Sequence, residues 1–321
     1  MSSENEFRLC DGRTVAYQLG GIESGWPVFM FHGALGVGDF SEHQNLFCEL
    51  GMWCICPTLP GWGESTPKQD RKVSEWANDV QELANSLRID RFDVVGISLG
   101  GPHALACTIA LPERVRKTLI LSGHAPFINN KGFNPFKGMD IPSRLGLSWF
   151  ASKFSLLGKV AAAHIKKKTQ ESDSGISFVN DVLLSKLNPD ECEQFQRLSE
   201  SRRYSMPSTL ARGMFRSLEH SVVGYVELPV LLRTWSSKDL ETIRNGGEAV
   251  MIVGSHGDRI VPFSHAEFLS QLMPQSCLIS LTGGHLTVVF CFGQLLQRFM
   301  EWKPGADAAP QRIHLDSLSL A

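Results

Sequence analysis

The chain has 321 residues, of which 43% are hydrophobic, and its formal net charge at neutral pH is −2. A chain of this length and composition can bury a large core, as one domain or as one domain with an insertion. The balanced charge disfavours nucleic acid and anionic membranes as partners, and no apolar run reaches the roughly 18 residues of a membrane span.

The N-terminal third predicts a hairpin followed by strands and helices in alternation. Asp11-Gly12 is a turn signal between two runs that can form strands. The apolar run at 27–31 ends in His32-Gly33-Ala34, a turn that can direct a backbone N–H toward a neighbouring strand end. The predicted elements up to residue 91 are strands at 7–10, 14–19, 27–31 and 52–57 and helices at 40–50 and 73–87. Such alternation favours a mostly parallel sheet covered by helices on both faces, with functional sites at the carboxyl ends of its strands.

Ser98 lies in Gly96-Ile97-Ser98-Leu99-Gly100, after a mostly apolar strand at 92–95 and before a predicted helix at 102–111. Strand, G-x-S-x-G and helix in this order are typical of a nucleophile elbow, a tight turn that exposes the serine. Glycine at 96 and 100 removes side chains that would clash in such a turn. The helix N-terminus beneath the serine provides unpaired N–H groups and a partial positive charge, which suit a developing oxyanion.

Between about residues 125 and 240, amphipathic helical stretches replace the alternation of strands and helices. One of these stretches places the following residues on a single face: Trp149, Phe150, Phe154, Leu157, Val160, Ala161 and Ile165. The alternation resumes with a strand at 249–254 that leads into Asp258 and a strand at 277–281 that leads into His285. Two strand ends thus offer an acid and a base, and the chain order Ser, Asp, His is compatible with a catalytic triad.

Five motifs together resemble the α/β-hydrolase superfamily, in its capped branch of esterases, lactonases and C–C bond hydrolases. The motifs are His32-Gly33-Ala34, Leu59-Pro60-Gly61-Trp62-Gly63-Glu64-Ser65, Gly96-Ile97-Ser98-Leu99-Gly100-Gly101, Gly254-Ser255-His256-Gly257-Asp258 and Gly283-Gly284-His285. The resemblance covers the chain from about residue 6 to residue 303, apart from a variable middle. It implies an α/β-hydrolase fold, with a mostly parallel central sheet flanked by helices and an inserted helical cap.

The resemblance also implies a role for each matching residue. Ser98 is the nucleophile, His285 is the general base and acid, and Asp258 orients His285 and stabilises its cationic form. The backbone N–H groups of Ala34 and Leu99 form the oxyanion hole. Serine at the elbow disfavours the chemistry of relatives that open epoxides or displace halide, because those carry Asp there.

Two further residues are candidate substrate contacts. His124 follows the strand predicted at 117–121, and that strand end faces the same edge of the sheet as Ser98. Leu35 follows the predicted oxyanion residue directly. Apolar residues of the insertion are expected mainly to pack the cap on the core, with a minority lining an apolar pocket.

The resemblance predicts a serine hydrolase, without metal or cofactor, that cleaves an ester, lactone or thioester of a small apolar acyl substrate. Three alternatives use the same triad: C–C bond hydrolysis beside a ketone, acyl transfer, and cyclisation or release of a biosynthetic intermediate. An alternative of another class is a small-molecule receptor that retains a triad. The cap and the shape of the pocket decide the substrate, which the fold does not specify.

The chain is expected to divide into four segments. These are a first part of the core at 1–124, a helical cap at 125–240, a second part of the core at 241–303 and a C-terminal tail at 304–321. The eight cysteines form no recognisable metal-binding set and predict free, mostly buried thiols, which are typical of the cytosol. The polar, acidic start predicts no secretion signal, so we expect a cytoplasmic protein with no membrane span. The oligomeric state is left open.

Overall fold

A single sheet of nine strands organises the part of the chain that the computed structural model describes, residues 4–127, 133–148, 155–245, 247, 249–304 and 312–315. The strands are β1 (Asn5–Arg8), β2 (Thr14–Gly21), β3 (Trp26–Phe31), β4 (Met52–Pro57), β5 (Phe92–Ile97), β6 (Val115–Leu121), β7 (Val250–Ser255), β8 (Cys277–Leu281) and β9 (Arg312–Leu315). Their order across the sheet is β1-β2-β4-β3-β5-β6-β7-β8-β9.

The sheet is mostly parallel, as predicted. Strand β2 pairs antiparallel with β1 and with β4, and every other neighbouring pair is parallel. The hairpin predicted at Asp11-Gly12 joins β1 to β2. The carboxyl ends of β3 and of β5 to β8 consequently meet at one edge of the sheet, where the sequence analysis expects the functional site.

Helices cover both faces of this sheet. The first group is α1 (Gln44–Glu49), α2 (Trp76–Ser86) and α3 (Gly100–Ala110). The second group, between β6 and β7, is α4 (Ile141–Gly146), α5 (Ser155–Thr169), α6 (Ser172–Val182), α7 (Pro189–Arg197), α8 (Glu200–Glu219), α9 (Val223–Leu231) and α10 (Ser237–Arg244). The last group is α11 (Ser264–Leu272), α12 (Thr287–Phe290) and α13 (Phe292–Glu301). Within the described residues, no helix combines the length and the apolar character needed to cross a membrane.

The core lies on both sides of the central strands because successive side chains of a strand point to opposite faces. In β3, Val28 and Met30 pack with residues of α1 and α13. Phe29 and Phe31 of the same strand pack on the other side with residues of α2 and α3. Burial on both faces explains why the central strands read as continuous apolar runs rather than as alternating ones.

The segment between β6 and β7 is helical, but the buried face of α5 differs from the predicted one. Leu157 and Val160 are 67% and 59% exposed, whereas Ala162 is fully buried. Gly158 lies close to Val226 of α9, since a Cβ built on it would be 3.4 Å from the Val226 Cγ2 atom. The packed face of this helix therefore contains the small residues Gly158 and Ala162 together with Ile165, a residue of the predicted face that packs against buried residues of α6 and α8. Trp149, Phe150 and Phe154, which the prediction placed on the same face, lie outside the described residues.

The C-terminal segment predicted as a tail contains a strand that the sequence analysis did not anticipate. Strand β9 pairs parallel with β8, from Leu278 opposite Arg312 to Leu281 opposite Leu315. The boundaries of core and cap at residues 125 and 240 stay a prediction. The cysteines are free thiols, and five of them are buried: Cys54, Cys56, Cys107, Cys277 and Cys291.

A buried lysine on β6 holds the end of the last long helix against the sheet. The Lys117 ammonium donates to the carbonyl oxygens of Phe299, Met300 and Trp302 at 2.7, 3.1 and 3.1 Å. These carbonyls lie at the carboxyl end of α13, where backbone acceptors lack partners within the helix and the helix dipole favours a cation.

We expect Lys117→Met to lower the free energy of unfolding by about 3 kcal/mol, because it removes three charge-assisted hydrogen bonds and leaves buried carbonyls without a donor. Urea denaturation followed by circular dichroism measures this loss. Lys303→Met, at an exposed position near the same helix end, is the control and should change stability by less than about 0.5 kcal/mol. Equal stabilities of the two variants would contradict this account of Lys117.

Candidate active site

Ser98 occupies a strained turn between β5 and α3. Its φ angle is +53°, in the left-handed region that residues with a side chain rarely adopt. The side chain is partly exposed at the carboxyl edge of the sheet. Strain of this kind persists only where the surrounding packing determines the backbone, and it is common at functional sites.

Close packing of glycines determines that backbone. A Cβ built on Gly96 would lie 2.2 Å from the carbonyl oxygen of Gly100, and one on Gly100 would lie 2.2 Å from that of Phe31. A Cβ on Gly101 would lie 2.7 Å from the Cα atom of Gly123. Any side chain at these positions would push β3, β5 and β6 away from the start of α3, so the turn requires all three glycines.

The turn after β3 lies beside Ser98. A Cβ built on Gly33 would be 3.4 Å from the Ser98 Cβ atom and 4.0 Å from its Oγ atom. Within the described part of the chain, neither the Ala34 nor the Leu99 N–H donates to another residue. The indole N–H of Trp62 donates to the Ala34 carbonyl at 2.7 Å, which fixes the orientation of that peptide. Two backbone donors are therefore available next to the serine.

His32 holds this turn in place as a neutral side chain. The Leu59 N–H donates to its Nε2 atom at 2.9 Å, so Nε2 is an acceptor and Nδ1 carries the proton, which is donated to the Gly33 carbonyl at 2.7 Å. Burial, more than the nearby Arg71 charge, lowers the pKa of His32 to about 4. A neutral imidazole matches the donor and acceptor roles that these two contacts need.

His103 has the same character behind the elbow. Its Nδ1 atom lies 2.9 Å from the Leu99 carbonyl, and its Nε2 atom lies 3.1 Å from Nη1 of the buried Arg71. Burial, with the Arg71 charge added, keeps the pKa of His103 well below its usual range. The arginine therefore donates to a neutral ring, which in turn donates to the first turn of α3.

Asp258 and His285 are brought together across the ends of β7 and β8. His285 Nδ1 lies 2.7 Å from Asp258 Oδ2, while Asp258 Oδ1 accepts the N–H groups of Ile260 and Val261 at 2.9 and 2.8 Å. Burial alone would lower the pKa of His285, but the charge and hydrogen bond of Asp258, together with the charges of Glu191 and Asp140, outweigh burial and the pKa is raised. His285 is partly exposed, so its other nitrogen can meet a partner at the sheet edge.

The two candidate substrate contacts follow β6 and β3, the two strands that lie on either side of β5. His124 is buried, its ring meets those of Phe127 and His265 edge-on, and its Nδ1 atom has no partner within the described residues. Burial, together with the charges of His265 and His285, keeps its pKa well below the usual range. Leu35 packs against a buried cluster of the insertion formed by Val179 of α6 and by Ala211 and Met214 of α8.

His265 escaped the sequence analysis, although it fixes the chain after β6. Its Nδ1 atom accepts the Ala125 N–H at 3.0 Å, and its Nε2 atom donates to the Pro135 carbonyl at 2.9 Å. Burial lowers the pKa of His265 to about 4, which keeps Nδ1 free to accept. The sequence offers no signal for this role, because the two partners lie 140 and 130 residues away.

Glu191 is a second residue that the sequence analysis missed. It stands at the third position of α7 and is only 5% exposed. Its Oε1 atom accepts the N–H of Leu286, the residue after His285, at 2.9 Å. Asn188 followed three residues later by Glu191 is a capping-box pattern that predicts a helix start, but it gives no hint of this second contact.

A possible cation-binding group lies at the surface. Within the described residues, Glu64, Glu219 and His220 are the one group that brings three metal-ligating atoms within 4.8 Å of one another. His220 Nε2 lies 2.6 Å from Glu64 Oε1, a contact between two exposed side chains. We assign no metal role to this group, since exposed acidic clusters are common without an ion.

Comparison with known protein families and sequences confirms the prediction of an α/β-hydrolase fold. A family model described as the alpha/beta hydrolase fold matches residues 27–290. A 2-hydroxymuconate semialdehyde hydrolase from Pseudomonas sp. (strain CF600) is 35% identical over 107 residues, which cover 32% of this chain and 38% of that protein. A protein of Mycobacterium tuberculosis (strain ATCC 25618 / H37Rv) named as uncharacterized is 32% identical over 121 residues, or 36% of this chain and 34% of that protein. The chain thus matches less than half the length of these curated relatives.

Solved structures share the fold over nearly the whole chain. An esterase from Exiguobacterium antarcticum superposes with a TM-score of 0.62 at 18% identity, covering 94% of this chain and 100% of that one. A meta-cleavage product hydrolase from Pseudomonas fluorescens IP01 superposes with a TM-score of 0.60 at 17% identity, covering 92% and 96%. At these identities the likeness concerns the fold.

We expect Gly100→Ala to destabilise the protein by about 2–4 kcal/mol, because the added methyl meets the backbone of β3 and cannot be relieved by moving a side chain. Gly146→Ala is the matched control, since no atom lies within 4 Å of a Cβ at that helical position. Chemical denaturation of both variants measures the difference. A Gly100→Ala protein as stable as the control would show that the turn does not depend on this close packing.

Proposed function

Because the chain belongs to the family of the alpha/beta hydrolase fold, we propose that it is a serine hydrolase with Ser98 as nucleophile, His285 as base and Asp258 as orienting acid. The observation that supports this most is the 2.7 Å hydrogen bond between His285 Nδ1 and the buried Asp258 carboxylate. That bond leaves Nε2 of His285 to act at the sheet edge where the strained Ser98 turn lies. Base and nucleophile come from the ends of different strands, which is how this fold assembles a triad.

In the proposed reaction, His285 Nε2 takes the proton of Ser98 as Oγ attacks the substrate carbonyl carbon. The N–H groups of Ala34 and Leu99 receive the negative charge that develops on the carbonyl oxygen, and the dipole of α3 favours the same charge. The tetrahedral intermediate collapses as His285 gives the proton to the leaving group, which leaves an acyl group on Ser98. Water, deprotonated by His285, then releases the acid and restores the serine.

The environment of His285 suits this role better than that of the four buried histidines described above. His32, His103, His124 and His265 are buried without a carboxylate partner, and the pKa of each is lowered. His285 alone of these five has a carboxylate in hydrogen-bond contact, which stabilises the imidazolium that forms when it accepts a proton. Asp258 in turn is held by two backbone N–H groups and cannot rotate away.

The proposed substrate is an ester, lactone or thioester of a small apolar acyl group, cleaved without a metal or cofactor. Support comes from the surroundings of the edge: Leu35 lies among apolar residues, and His124 is neutral and stands beside Phe127. Such a lining favours uncharged substrates over acidic ones. The free thiols are compatible with a cytosolic location, which we propose as well.

A second candidate function is hydrolysis of a C–C bond beside a ketone, with the same triad. The observation that favours it is the 35% identity over 107 residues to the 2-hydroxymuconate semialdehyde hydrolase. Comparison of kcat/KM for 2-hydroxymuconate semialdehyde and for a series of p-nitrophenyl esters and lactones separates the two functions. A preference for the semialdehyde by more than about a hundredfold, which is on the order of 3 kcal/mol, would favour C–C cleavage.

Ser98→Ala should abolish labelling by a fluorophosphonate probe and lower kcat on any accepted ester by about a thousandfold or more, because the nucleophile is lost. Mass spectrometry of the labelled wild type should place the probe on the peptide that contains Ser98. Ser205→Ala, at an exposed position of α8, is the control and should label normally. Turnover of the Ser98→Ala protein at the wild-type rate would overturn the proposed function.

The pH dependence of kcat/KM should show an acid limb whose midpoint lies above 6.5, the ordinary pKa of histidine. His285 must be neutral to accept a proton, and its pKa is raised by Asp258, so activity falls as the pH drops through that raised value. Asp258→Asn removes the negative charge and should move the limb to lower pH while reducing the rate. A wild-type midpoint below 6.5 would contradict the proposed pairing.

A further inference from the structure

Helix α7 of the insertion packs directly on the two turns that carry Asp258 and His285. A Cβ built on Gly257, next to Asp258, would lie 2.8 Å from Asn188 Nδ2 at the start of α7. A Cβ built on Gly284, next to His285, would lie 2.4, 2.5 and 2.6 Å from the Oε2, Cδ and Oε1 atoms of Glu191. No side chain fits between the insertion and either turn, so α7 and the two turns form one packed unit.

The Glu191 carboxylate is anchored on both of its oxygens. Oε2 accepts the Asn188 N–H at 3.2 Å, which closes the helix cap, and Oε1 accepts the Leu286 N–H at 2.9 Å. Capping of the helix requires only the hydrogen bond from the Asn188 N–H to Glu191. The second joins the insertion to the peptide that follows His285, 95 residues further along the chain.

The charge of Glu191 is not neutralised by a paired cation, since no lysine or arginine of the described residues forms an ion pair with it. Burial raises the pKa of this carboxyl, while the two backbone N–H groups and His285 favour its ionised form. Both members of the proposed pair act on this carboxyl through their charge: Asp258 raises its pKa and His285 lowers it.

Four titratable groups from different elements face His285. Asp258, after β7, is hydrogen-bonded to the ring, whereas Glu191 of α7 and Asp140 at the start of α4 act on it through their charge; all three carboxylates favour the protonated ring. His124, after β6, faces it as a neutral ring. The insertion supplies two of these groups, Glu191 and Asp140.

We infer that Glu191 is a positioning residue of the proposed hydrolase: it holds the turn around His285 in place and adds a second negative charge beside the imidazolium that forms when His285 takes the proton of Ser98. The inference rests on the proposed function, because it is in the proposed reaction that His285 accepts the proton of Ser98. Through this side chain, the insertion adds to the effect of Asp258 on the basicity of His285.

The test uses Glu191→Gln in the full chain, because glutamine keeps the size and a carbonyl acceptor for Leu286 but removes the charge. The matched control is Glu193→Gln, which makes the same change two residues away on α7, where the side chain is 54% exposed and pairs with Arg197. The titration of His285, followed by NMR of its ring protons, is recorded for wild type and both variants, together with the pH profile of kcat/KM.

In Glu191→Gln, the His285 titration and the acid limb should move together to lower pH, because one of the charges that favours protonation is gone. Well below the wild-type midpoint, the variant should retain about two- to tenfold more of its own plateau activity than wild type does. The plateau kcat should fall, since the imidazolium is less stabilised. Glu193→Gln should match wild type in every respect.

An unchanged His285 titration in a folded Glu191→Gln protein overturns the inference, whatever the activity. If that variant does not fold, the carboxyl carbon of Glu191 is observed by NMR in the wild type, where it should show a second inflection at the pH at which His285 titrates. Absence of that inflection overturns the inference too. Neither NMR readout requires turnover, so a protein that fails to label at Ser98 refutes the proposed function without deciding the role of Glu191.

Discussion

The packing of three glycines against the ends of β3, β5 and β6 is the constraint on which the rest of the structure depends. Gly96, Gly100 and Gly101 allow backbone atoms to approach within distances that no side chain permits, and this forces Ser98 into a left-handed conformation. The serine is thereby presented at the sheet edge, with the start of α3 beneath it and the turn after β3 beside it. The strained conformation of Ser98 follows from this steric constraint, while His32 and Trp62 hold the neighbouring turn that carries the Ala34 N–H.

Around this turn, His285 differs from four buried histidines in the direction in which its pKa is shifted. The pKa of each of these four histidines is depressed because burial penalises the cation, and three of them, His32, His103 and His265, hold the backbone in place through hydrogen bonds. His285 differs because carboxylates from the ends of β7, from α4 and from α7 compensate for its burial. The inserted helices enter this balance directly: α7 supplies one of those carboxylates, and α8 lies over the turn that carries Leu35. In the proposed hydrolase, the insertion and the core therefore build the site together.

Much of the fold and the candidate site could be predicted from the sequence because the signals are local. The G-x-S-x-G spacing at Ser98 and the strand ends before Asp258 and His285 each occupy a few consecutive residues. What could not be predicted depends on contacts between distant segments. The pattern of α5 suggested that Leu157 and Val160 are buried, but they are exposed and the packed face contains Gly158, Ala162 and Ile165 instead. Glu191 looks like an ordinary helix cap until the fold brings Leu286 to it, and β9 gains its strand conformation only by pairing with β8.

The most direct measurement is a crystal structure of the protein after reaction with a fluorophosphonate, whose tetrahedral phosphorus resembles the proposed intermediate. The account predicts phosphorus bonded to Ser98 Oγ, its phosphoryl oxygen within about 3 Å of the N–H groups of both Ala34 and Leu99, and His285 Nε2 facing the serine oxygen. An adduct on another residue would contradict the account. So would a phosphoryl oxygen turned away from both N–H groups, because the serine would then lack the stabilisation from which its reactivity is argued.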